Sequence, residues 1–378
     1  MPEAGKLIGI DARVPIYRGR GWERYAVDFL SALSQLDLPY RVRVLAPDNA
    51  RGERLALDLD GRLEVFFDRF ELGAESDYML AGMRARDPLE CFGEVDLLHF
   101  LTPFGVPTRA RRLAATIHDV SPLVDPPFKT EILGSTLAAL KQLRASNARI
   151  ISVSATTRSE LVGLTNISPE RITVVHPGLT EGFEAEAPTT KRSRISEPRL
   201  IYVGGMGPNK NLKRLIECII RLRKTRPVSL LVVGDSRWGY HELVRELEQF
   251  GGNDWRQGVT FHGFVPDDDL RELYRGSHGL VMPSLHEGFG LPLLEAMATG
   301  LPVCCSAIPV FEEVADGAAL FFNPHDVTDM SATIESLLYD EKLAADLRRR
   351  GLARAEKFDW RRSAQTIAGI YAEELVIR

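Results

Sequence analysis

The chain has 378 residues, of which 44% are hydrophobic and 26% are charged, and its formal net charge is −5 at pH 7. This length suggests two or three domains, the composition is typical of a soluble globular protein, and the net negative charge argues against nucleic-acid binding. No apolar run approaches the ~20 residues that span a bilayer, and the first residues lack the apolar core of a signal peptide. We therefore expect a cytoplasmic protein.

The chain is predicted to begin with a strand, a glycine-bearing loop and an amphipathic helix. The strand covers residues 7–11, the loop contains Gly19 and Gly21, and the helix runs to about Leu36. Such a loop suits an anion, because the free N–H groups at a helix N-terminus attract phosphate. Gly21 would let the backbone approach a ligand and Arg24 would lie one turn into the helix, although Gly-x-Gly alone is as readily a plain turn.

Strand and helix patterns alternate through the rest of the first half. Strands are predicted at residues 42–46, 63–67, 96–100, 113–117, 149–153 and 172–175, and helices at 69–86, 128–145 and 154–164. His118 and Asp119 directly follow the strand 113–117, and ligands of open α/β sheets bind beyond the carboxyl ends of strands. The two residues therefore either line a site or act locally, with His118 hydrogen-bonded in a turn and Asp119 capping the next segment.

A shift in composition separates two halves of the chain. Residues 181–198 are rich in small, charged and proline residues with little apolar periodicity, which is typical of a linker. We therefore expect domains at residues 1–180 and 199–360. The final amphipathic helix, residues 361–377, is expected to pack back on the first domain.

The second half opens with a strand and another glycine loop. The strand covers residues 199–204, the loop ends at Lys210, and Asn211 is predicted to cap the next helix. Lys210 either reaches a diphosphate or is a solvated surface lysine. Further strands are predicted at residues 230–234, 259–265, 279–283, 301–305 and 319–322, and later helices at 328–338 and 341–357. The aspartates at 267–269 are interpreted as support for a helix dipole rather than as a cation site.

The most informative stretch lies between two of these strands. Glu287 is in a loop and Glu295 is in the first turns of a helix that has Pro292 near its start and Gly300 as its end. Two carboxylates beside a phosphate-attracting helix N-terminus suit a ligand that has both phosphates and hydroxyls, such as a nucleotide sugar. The adjacent Cys304 and Cys305 lie in an apolar strand, and we expect them to be buried and reduced.

Several segments of the chain, taken together and in their order along the sequence, resemble the retaining glycosyltransferases of the GT-B fold, a family that includes bacterial mannosyltransferases. The most specific is the pair Glu287 and Glu295, which is similar to that family's two-glutamate motif, Glu-x7-Glu. The other matching segments are residues 116–119, 172–178, 202–212 and 262–265. The resemblance covers nearly the whole chain. It implies an α/β protein of two Rossmann-like, doubly wound domains that face a cleft.

The same resemblance implies roles for individual residues. Catalytic roles fall to His118, Glu287 and Lys210, with Glu287 on the donor sugar and Lys210 on the diphosphate leaving group. Donor-binding residues are implied at Gly21, Asn209, Phe264, Val265, Phe289, Gly290, Leu291 and Glu295, and acceptor-side residues at Arg24 and Asp119. Many relatives carry an arginine at the position of Asn209. Either another cation such as Arg214 compensates, or the diphosphate is held more weakly.

The implied reaction is the transfer of a hexose to a hydroxyl of a glycan or lipid-linked acceptor, in bacterial surface polysaccharide or glycoconjugate synthesis. The favoured donor is GDP-mannose, with GDP- or dTDP-rhamnose and UDP-sugars left open, and no metal or other cofactor is expected. The basic cluster at residues 109–112 is either a solvated edge or a contact for anionic lipid, so peripheral contact with the inner membrane face is also considered. The alternatives are a sugar-nucleotide epimerase of the same fold and an inactive nucleotide-sugar-binding protein.

Overall fold

The computed structural model describes residues 5–18, 20–69, 85–102, 106–124, 130–184, 197–234, 239–251 and 254–376. The chain divides into two compact units, the first formed by Met1–Gly178 with Asp359–Arg378 and the second by Leu179–Phe358. Most of the helix predicted at 69–86 and most of the linker predicted at 181–198 lie outside the described residues.

The first unit contains a parallel sheet. Its strands are β1 (Leu7–Asp11), β2 (Arg41–Pro47), β3 (Glu64–Asp68), β4 (Leu97–Phe100), β5 (Leu113–Ile117), β6 (Arg149–Ser152) and β7 (Ile172–Val174). These seven strands lie in the order β3-β2-β1-β4-β5-β6-β7, and every adjacent pair is parallel. The order reverses between β1 and β4, which makes the sheet doubly wound, and the carboxyl ends of the strands at this reversal are the usual place for a ligand.

Helices connect the strands of the first unit. They are Arg13–Arg18, Arg20–Ser34, Ala50–Asp58, Pro88–Phe92, Ser121–Val124, Thr130–Ala145, Ala155–Thr165 and Trp360–Val376, with a 3-10 turn at Pro169–Arg171. Strands β4 and β5 are buried along their whole length, and apart from His99 and Thr116 their residues are apolar, as expected in a parallel sheet covered on both faces. The helix Arg20–Ser34 buries Phe29, Leu30 and Leu33 as its periodicity predicts.

The last helix of the chain, Trp360–Val376, belongs to the first unit. The Tyr371 hydroxyl lies 2.5 Å from His99 Nδ1 on β4, and the Ser363 hydroxyl donates to the His176 carbonyl at 2.6 Å. At Gly178 the chain passes so close that a Cβ there would lie 2.1 Å from the Trp360 backbone nitrogen, so only glycine fits. Buried polar contacts as well as apolar packing therefore fix this helix on the first sheet.

The second unit is built on the same plan. Its strands are β8 (Arg199–Val203), β9 (Ser229–Val233), β10 (Val259–Gly263), β11 (Gly279–Met282), β12 (Val303–Ser306) and β13 (Leu320–Phe322). These six parallel strands lie in the order β10-β9-β8-β11-β12-β13, with the reversal between β8 and β11. The helices are Leu212–Arg223, Tyr240–Gly251, Asp267–Arg275, Leu291–Ala298, Pro309–Ala315, Val327–Tyr339 and Glu341–Ala355, with 3-10 turns at Pro208–Lys210 and Asp254–Arg256.

The predicted cysteine environment is confirmed in this unit. Cys304 and Cys305 lie on β12 with fully buried side chains, and both are free thiols. Burial raises the pKa of both thiols, so the neutral form is favoured and the residues act as small apolar side chains in the sheet.

The start of the chain differs from the prediction. The helix Arg13–Arg18 begins almost directly after β1, and Gly21 is the second residue of the following helix rather than part of a loop. Arg13 explains the early helix, because its side chain is fully buried and forms ion pairs with Asp11 and Asp68 at 2.7 and 2.6 Å. Asp11 also accepts a hydrogen bond from the Arg13 backbone N–H, as an N-cap does.

Some helices have no counterpart among the predicted elements. They are Ala50–Asp58, Pro88–Phe92, Ser121–Val124, Tyr240–Gly251 and Pro309–Ala315. Two of them carry local start signals, since Asn49 accepts hydrogen bonds from the backbone N–H groups of Arg51 and Gly52 and Asp87 caps Leu89 in the same way. Signals of this strength are too common in loops to identify such short helices without the tertiary structure.

Candidate active site

The candidate site in the second unit lies at the carboxyl ends of β8 and β11, where the strand order reverses. The loop after β8 ends in the 3-10 turn Pro208–Lys210, and the loop after β11 runs to the helix Leu291–Ala298. The two loops are joined by the backbone, since the Leu285 N–H donates to the Asn209 carbonyl at 2.8 Å. Neighbouring strands therefore bring two segments together that lie far apart in the sequence.

Lys210 and Glu287 form an ion pair in this site. Lys210 Nζ lies 2.7 Å from Glu287 Oε1, and the side chains are 22% and 13% exposed. The buried Ser284 hydroxyl donates to the same Glu287 oxygen at 2.8 Å. A partly desolvated cation, held by a carboxylate that is itself held by a hydroxyl, can interact strongly with an anionic ligand.

A helix N-terminus stands beside this ion pair. Gly290 occupies the N-cap position of Leu291–Ala298 with a φ of 94°, and a Cβ there would lie 2.8 Å from a ring carbon of Phe311. Glycine is therefore required at the turn. Gly290 has no side chain that could cap this helix start. Pro292 has no N–H and the Leu293 N–H donates to the Gly290 carbonyl at 2.9 Å, so among the first three helix residues Leu291 can offer its N–H to an anion. The Phe289 ring is buried against Phe358 at a centroid distance of 5.7 Å.

Glu295 lies one turn further along the same helix. Its side chain is only 1% exposed, and the hydroxyl of the fully buried Tyr274 donates to Glu295 Oε2 at 2.9 Å. The sequence did not identify Tyr274, which lies on the helix Asp267–Arg275 and has no motif around it. Ser284 was also missed, and its one signal is that it precedes Glu287 by three residues.

Two asparagines shape the loop that carries Lys210. Asn209 is 7% exposed, and within the described part of the chain its Oδ1 has no hydrogen-bond partner. Asn211 occupies the predicted N-cap position, but it is left-handed (φ 56°) and its side chain does not cap the helix. Instead, its Nδ2 donates to the carbonyls of Pro283 and Pro324 at 3.0 and 2.8 Å. The prediction of a side-chain cap is therefore wrong, because the left-handed backbone differs from the extended conformation of an N-cap and the Oδ1 atom, which would have to accept the capping bond, accepts one from Arg214 instead.

Asn211 also contacts the cation proposed as a substitute for arginine at position 209. Arg214 Nη1 donates to Asn211 Oδ1 at 3.0 Å. At one edge of the same sheet, Phe264 follows β10 and is 70% exposed, while the next residue, Val265, is buried. An exposed aromatic ring at a strand end is a suitable platform for a planar ligand group.

In the first unit, His118 follows β5 and lies in a group of aromatic side chains. Its ring stacks on Trp22 and meets Tyr25 edge-on, at centroid distances of 5.8 and 4.7 Å. His118 Nε2 donates to the Leu101 carbonyl at 2.9 Å, and burial lowers the pKa of His118, so the neutral ring is favoured. Gly21 and Arg24 lie on the helix that bears both aromatic residues.

Asp119 caps the segment that follows it, which is one of the two roles that the sequence allowed. Its Oδ1 accepts hydrogen bonds from the backbone N–H and the hydroxyl of Ser121, at 3.0 and 2.6 Å, at the start of Ser121–Val124. The three aspartates at 267–269 lie, as predicted, in the first turn of Asp267–Arg275. Their negative charges there interact favourably with the positive end of the helix dipole.

In the part of the chain that the structure describes, no group of three or more His, Cys, Asp or Glu side chains is placed to hold a metal ion. Within the same residues, no helix has the length and apolar character needed to cross a membrane.

Comparison with known families gives a match in each half of the chain. Residues 186–354 match the family described as glycosyl transferases group 1, and residues 19–181 match the family described as glycosyltransferase family 4. The O-antigen chain mannosyltransferase B of Escherichia coli is 30% identical over 317 residues, covering 81% of this chain and 82% of that protein. The serotype-specific mannosyltransferase WbdA of Escherichia coli is 31% identical over 265 residues, covering 65% of this chain and 32% of that longer protein.

Solved structures share the fold at low identity. Sucrose-phosphate synthase from Thermosynechococcus elongatus superposes with a TM-score of 0.75 at 18% identity, covering 97% of this chain and 98% of that one. WaaG, a glycosyltransferase involved in lipopolysaccharide biosynthesis, gives a TM-score of 0.71 at 17% identity, covering 96% and 99%. The predicted fold class, two Rossmann-like α/β domains of the GT-B type, is therefore confirmed.

Proposed function

This chain belongs to the group 1 glycosyltransferases of the GT-B fold, and we propose that it transfers mannose from GDP-mannose to a hydroxyl of a glycan or lipid-linked acceptor. Glycosyl transfer itself follows from membership of the family. Mannose is favoured because the similar proteins of Escherichia coli named above are mannosyltransferases. Since one of them is named for the O-antigen chain, we propose an acceptor in bacterial surface polysaccharide synthesis.

The observation that carries this proposal is the ion pair of Lys210 and Glu287 beside the start of Leu291–Ala298. A nucleotide sugar has a diphosphate for the lysine and the helix N-terminus, and sugar hydroxyls for the carboxylate. In the proposed complex, Glu287 binds hydroxyls of the donor sugar, the backbone N–H groups of Phe289 and Gly290 bind sugar and phosphate, and Glu295 binds the ribose.

The proposed transfer retains the configuration at the sugar C1. The bond from C1 to the diphosphate oxygen breaks, and negative charge grows on the leaving diphosphate. Lys210 and the helix N-terminus near Leu291 stabilise that charge, which is how fixed charges and dipoles accelerate such a step. The acceptor hydroxyl attacks C1 from the same face, a new C1–O bond forms, and the leaving phosphate oxygen takes the hydroxyl proton. These groups supply the positive charge, so the proposal includes no metal or cofactor.

Roles of the remaining residues stay predictions. Asn209, Phe264, Val265 and Leu291 are assigned to the donor, and His118, Arg24 and Asp119 to the reaction centre and acceptor side. Gly21 stays a proposed phosphate contact, since the start of its helix offers backbone N–H groups even though the residue is not in a loop. Peripheral contact with a membrane surface is part of the proposal only if the acceptor is lipid-linked.

The proposal is tested first with nucleotides. GDP, UDP and dTDP are compared by thermal unfolding, and GDP should raise Tm most, because a ligand that binds only the folded state stabilises it by mass action. GDP-mannose is then incubated with the enzyme alone and with a mannose-containing acceptor, and the product is examined by proton NMR. The expected product carries mannose in the configuration of the donor.

Other results would point elsewhere. A larger Tm shift with UDP or dTDP would reject GDP-mannose as donor while leaving glycosyl transfer in place. An inverted product would reject the proposed mechanism. Isomerisation of the donor sugar without acceptor would favour an epimerase, and binding with neither transfer nor slow hydrolysis would favour an inactive binding protein.

A further inference from the structure

A buried carboxylate near the helix start needs partners that hold it in place. Glu295 is 1% exposed, and a carboxylate removed from water is strongly destabilising unless hydrogen bonds compensate. It also has several rotamers to choose from, because glutamate has three rotatable side-chain bonds. A ligand group that must meet this carboxylate benefits if one rotamer is already selected.

Tyr274 makes this selection possible. Its hydroxyl donates to Glu295 Oε2 at 2.9 Å, a normal length for a bond to a carboxylate, whereas the Pro292 carbonyl is 3.5 Å away and too distant to compete for the proton. Fixing one carboxylate oxygen fixes the plane of the group and the direction of the other oxygen. Tyr274 therefore determines which way Glu295 presents its charge.

The Tyr274 ring is itself fixed by the packing of neighbouring side chains. Its side chain is fully buried, and the buried ring of Phe183 packs on it nearly edge-on at a centroid distance of 6.1 Å. The guanidinium of Arg271, one turn earlier on the same helix, lies 5.7 Å from the Phe183 ring centroid. The tyrosine thus has little freedom to rotate, and a rigid donor is what an oriented carboxylate requires.

We propose that Tyr274 is a positioning residue, which orients Glu295 so that the carboxylate accepts hydrogen bonds from the ribose hydroxyls of the donor. This rests on the proposed function, in which Glu295 binds the ribose. The sequence offers no motif for Tyr274, and its effect is exerted through Glu295. The dependence of binding on ribose hydroxyls distinguishes this role from a general contribution to folding.

The test measures the affinity of GDP and of 2′,3′-dideoxy-GDP by isothermal titration calorimetry. The proteins are the full chain, Tyr274→Phe, Glu295→Ala and Tyr339→Phe. The last is a matched control, because Tyr339 loses the same hydroxyl, which donates to the Pro227 carbonyl at 2.9 Å outside the site. The unaltered chain should prefer GDP by roughly tenfold or more, the usual range for hydrogen bonds to a charged group.

Tyr274→Phe should reduce this preference by about three- to tenfold without weakening 2′,3′-dideoxy-GDP, and Tyr339→Phe should leave it unchanged. Glu295→Ala should abolish it. If the unaltered chain shows no preference, the ribose role of Glu295 is wrong and the inference about Tyr274 falls with it. If Glu295→Ala abolishes the preference but Tyr274→Phe retains it in full, the donor site stands and the positioning role is rejected.

Two remaining outcomes are also decisive. Equal weakening of both ligands in Tyr274→Phe, together with a lowered Tm, would assign the tyrosine a purely structural role. If GDP does not bind, GDP-mannose is rejected as donor, and the UDP and 2′,3′-dideoxy-UDP pair tests the positioning role by the same comparison.

Discussion

Lys210 and Glu287 are 77 positions apart in the sequence, yet their charged groups lie 2.7 Å apart in the structure. They meet because β8 and β11 are neighbours in the sheet, at the point where the strand order reverses. Glu287 holds the Lys210 ammonium group in position, so the group does not need a bound ligand to be ordered. A diphosphate that contacts Lys210 must therefore share this cation with Glu287, which couples recognition of the diphosphate to that of the sugar.

Removing either partner of this pair should cut transfer strongly. Lys210→Ala and Glu287→Ala are each expected to lower kcat/KM by about 100-fold or more, because each removes a charge that acts on the reacting groups. Both variants should remain folded, as judged by circular dichroism and Tm. Lys213→Ala is the control, since Lys213 pairs with Glu246 at 3.5 Å on the next helix and should keep nearly full activity. Full activity in both Lys210→Ala and Glu287→Ala would show that this ion pair is not part of the active site.

Ser284 should matter because it fixes Glu287. Its buried hydroxyl donates to Glu287 Oε1 at 2.8 Å, and a hydrogen bond to a charged group contributes about 1.5–3 kcal/mol. Ser284→Ala should lower kcat/KM by roughly tenfold or more, less than removal of Glu287. Ser306→Ala is the matched control on β12, where the hydroxyl donates to the Met282 carbonyl over a long 3.4 Å. Equal activity of the two serine variants would show that the hydroxyl at Ser284 does not position Glu287.

Asn211 is expected to be a stability determinant of the second unit. Asn211→Gly keeps the left-handed backbone but loses the bonds to Pro283 and Pro324 and the bond from Arg214, which should lower the free energy of unfolding by about 2 kcal/mol. Asn211→Ala should lose about 0.5–1 kcal/mol more, because the strain of a left-handed alanine exceeds the extra chain entropy of glycine. Urea unfolding measures both. Greater stability of the alanine variant would contradict the backbone argument.

His99 should make the stability of the first unit depend on pH. Burial, with a smaller effect of His118, lowers the pKa of His99 to about 3, against about 6.5 in the unfolded chain. Between these values the unfolded chain binds a proton that the folded unit does not. The stability that the neutral His99 contributes to the folded unit is therefore fully present above about pH 6.5, and it is lost progressively as the pH falls below that value.

The measurement compares the chain with His99→Gln, which has no titratable ring at that position. Between pH 7 and pH 5 the unaltered chain should lose about 2 kcal/mol more unfolding free energy than the variant, from urea titrations at each pH. The same pH dependence in both proteins would mean that His99 is protonated in the folded state.

Much of the secondary structure follows from the sequence. The strands predicted at residues 113–117 and 279–283 consist almost entirely of apolar residues, and both appear within a residue of the predicted ends. The helix Ala155–Thr165 has Ser154 at its N-cap, and the helix predicted from 154 begins there within one residue. The helix Leu291–Ala298 has Pro292 near its start, as predicted. Such predictions succeed because periodicity, turns and caps act over a few residues and leave a local record in the sequence.

The start of the chain shows where local patterns fail. Gly21 suggested a loop, but the buried Arg13 pairs with Asp68, which lies on another strand, and a helix begins at Arg13, two residues after β1. Gly19 lies outside the described residues. A contact between residues 55 positions apart leaves no periodic signal near either of them. The amide of Asn211, taken by Pro283 and Pro324, is a second example.

Candidate residues of the site can be read from the sequence, since Lys210, Glu287 and Glu295 are charged residues in loops after strands or in the first turns of a helix. Their contacts become visible in the folded chain, namely the ion pair of Lys210 with Glu287, the bond from the Ser284 hydroxyl to that carboxylate, and the bond from Tyr274 to Glu295. The physical reason is that the order of strands in the sheet and the packing of helices set these distances. Both depend on the free energy of the whole unit rather than on any short stretch of it.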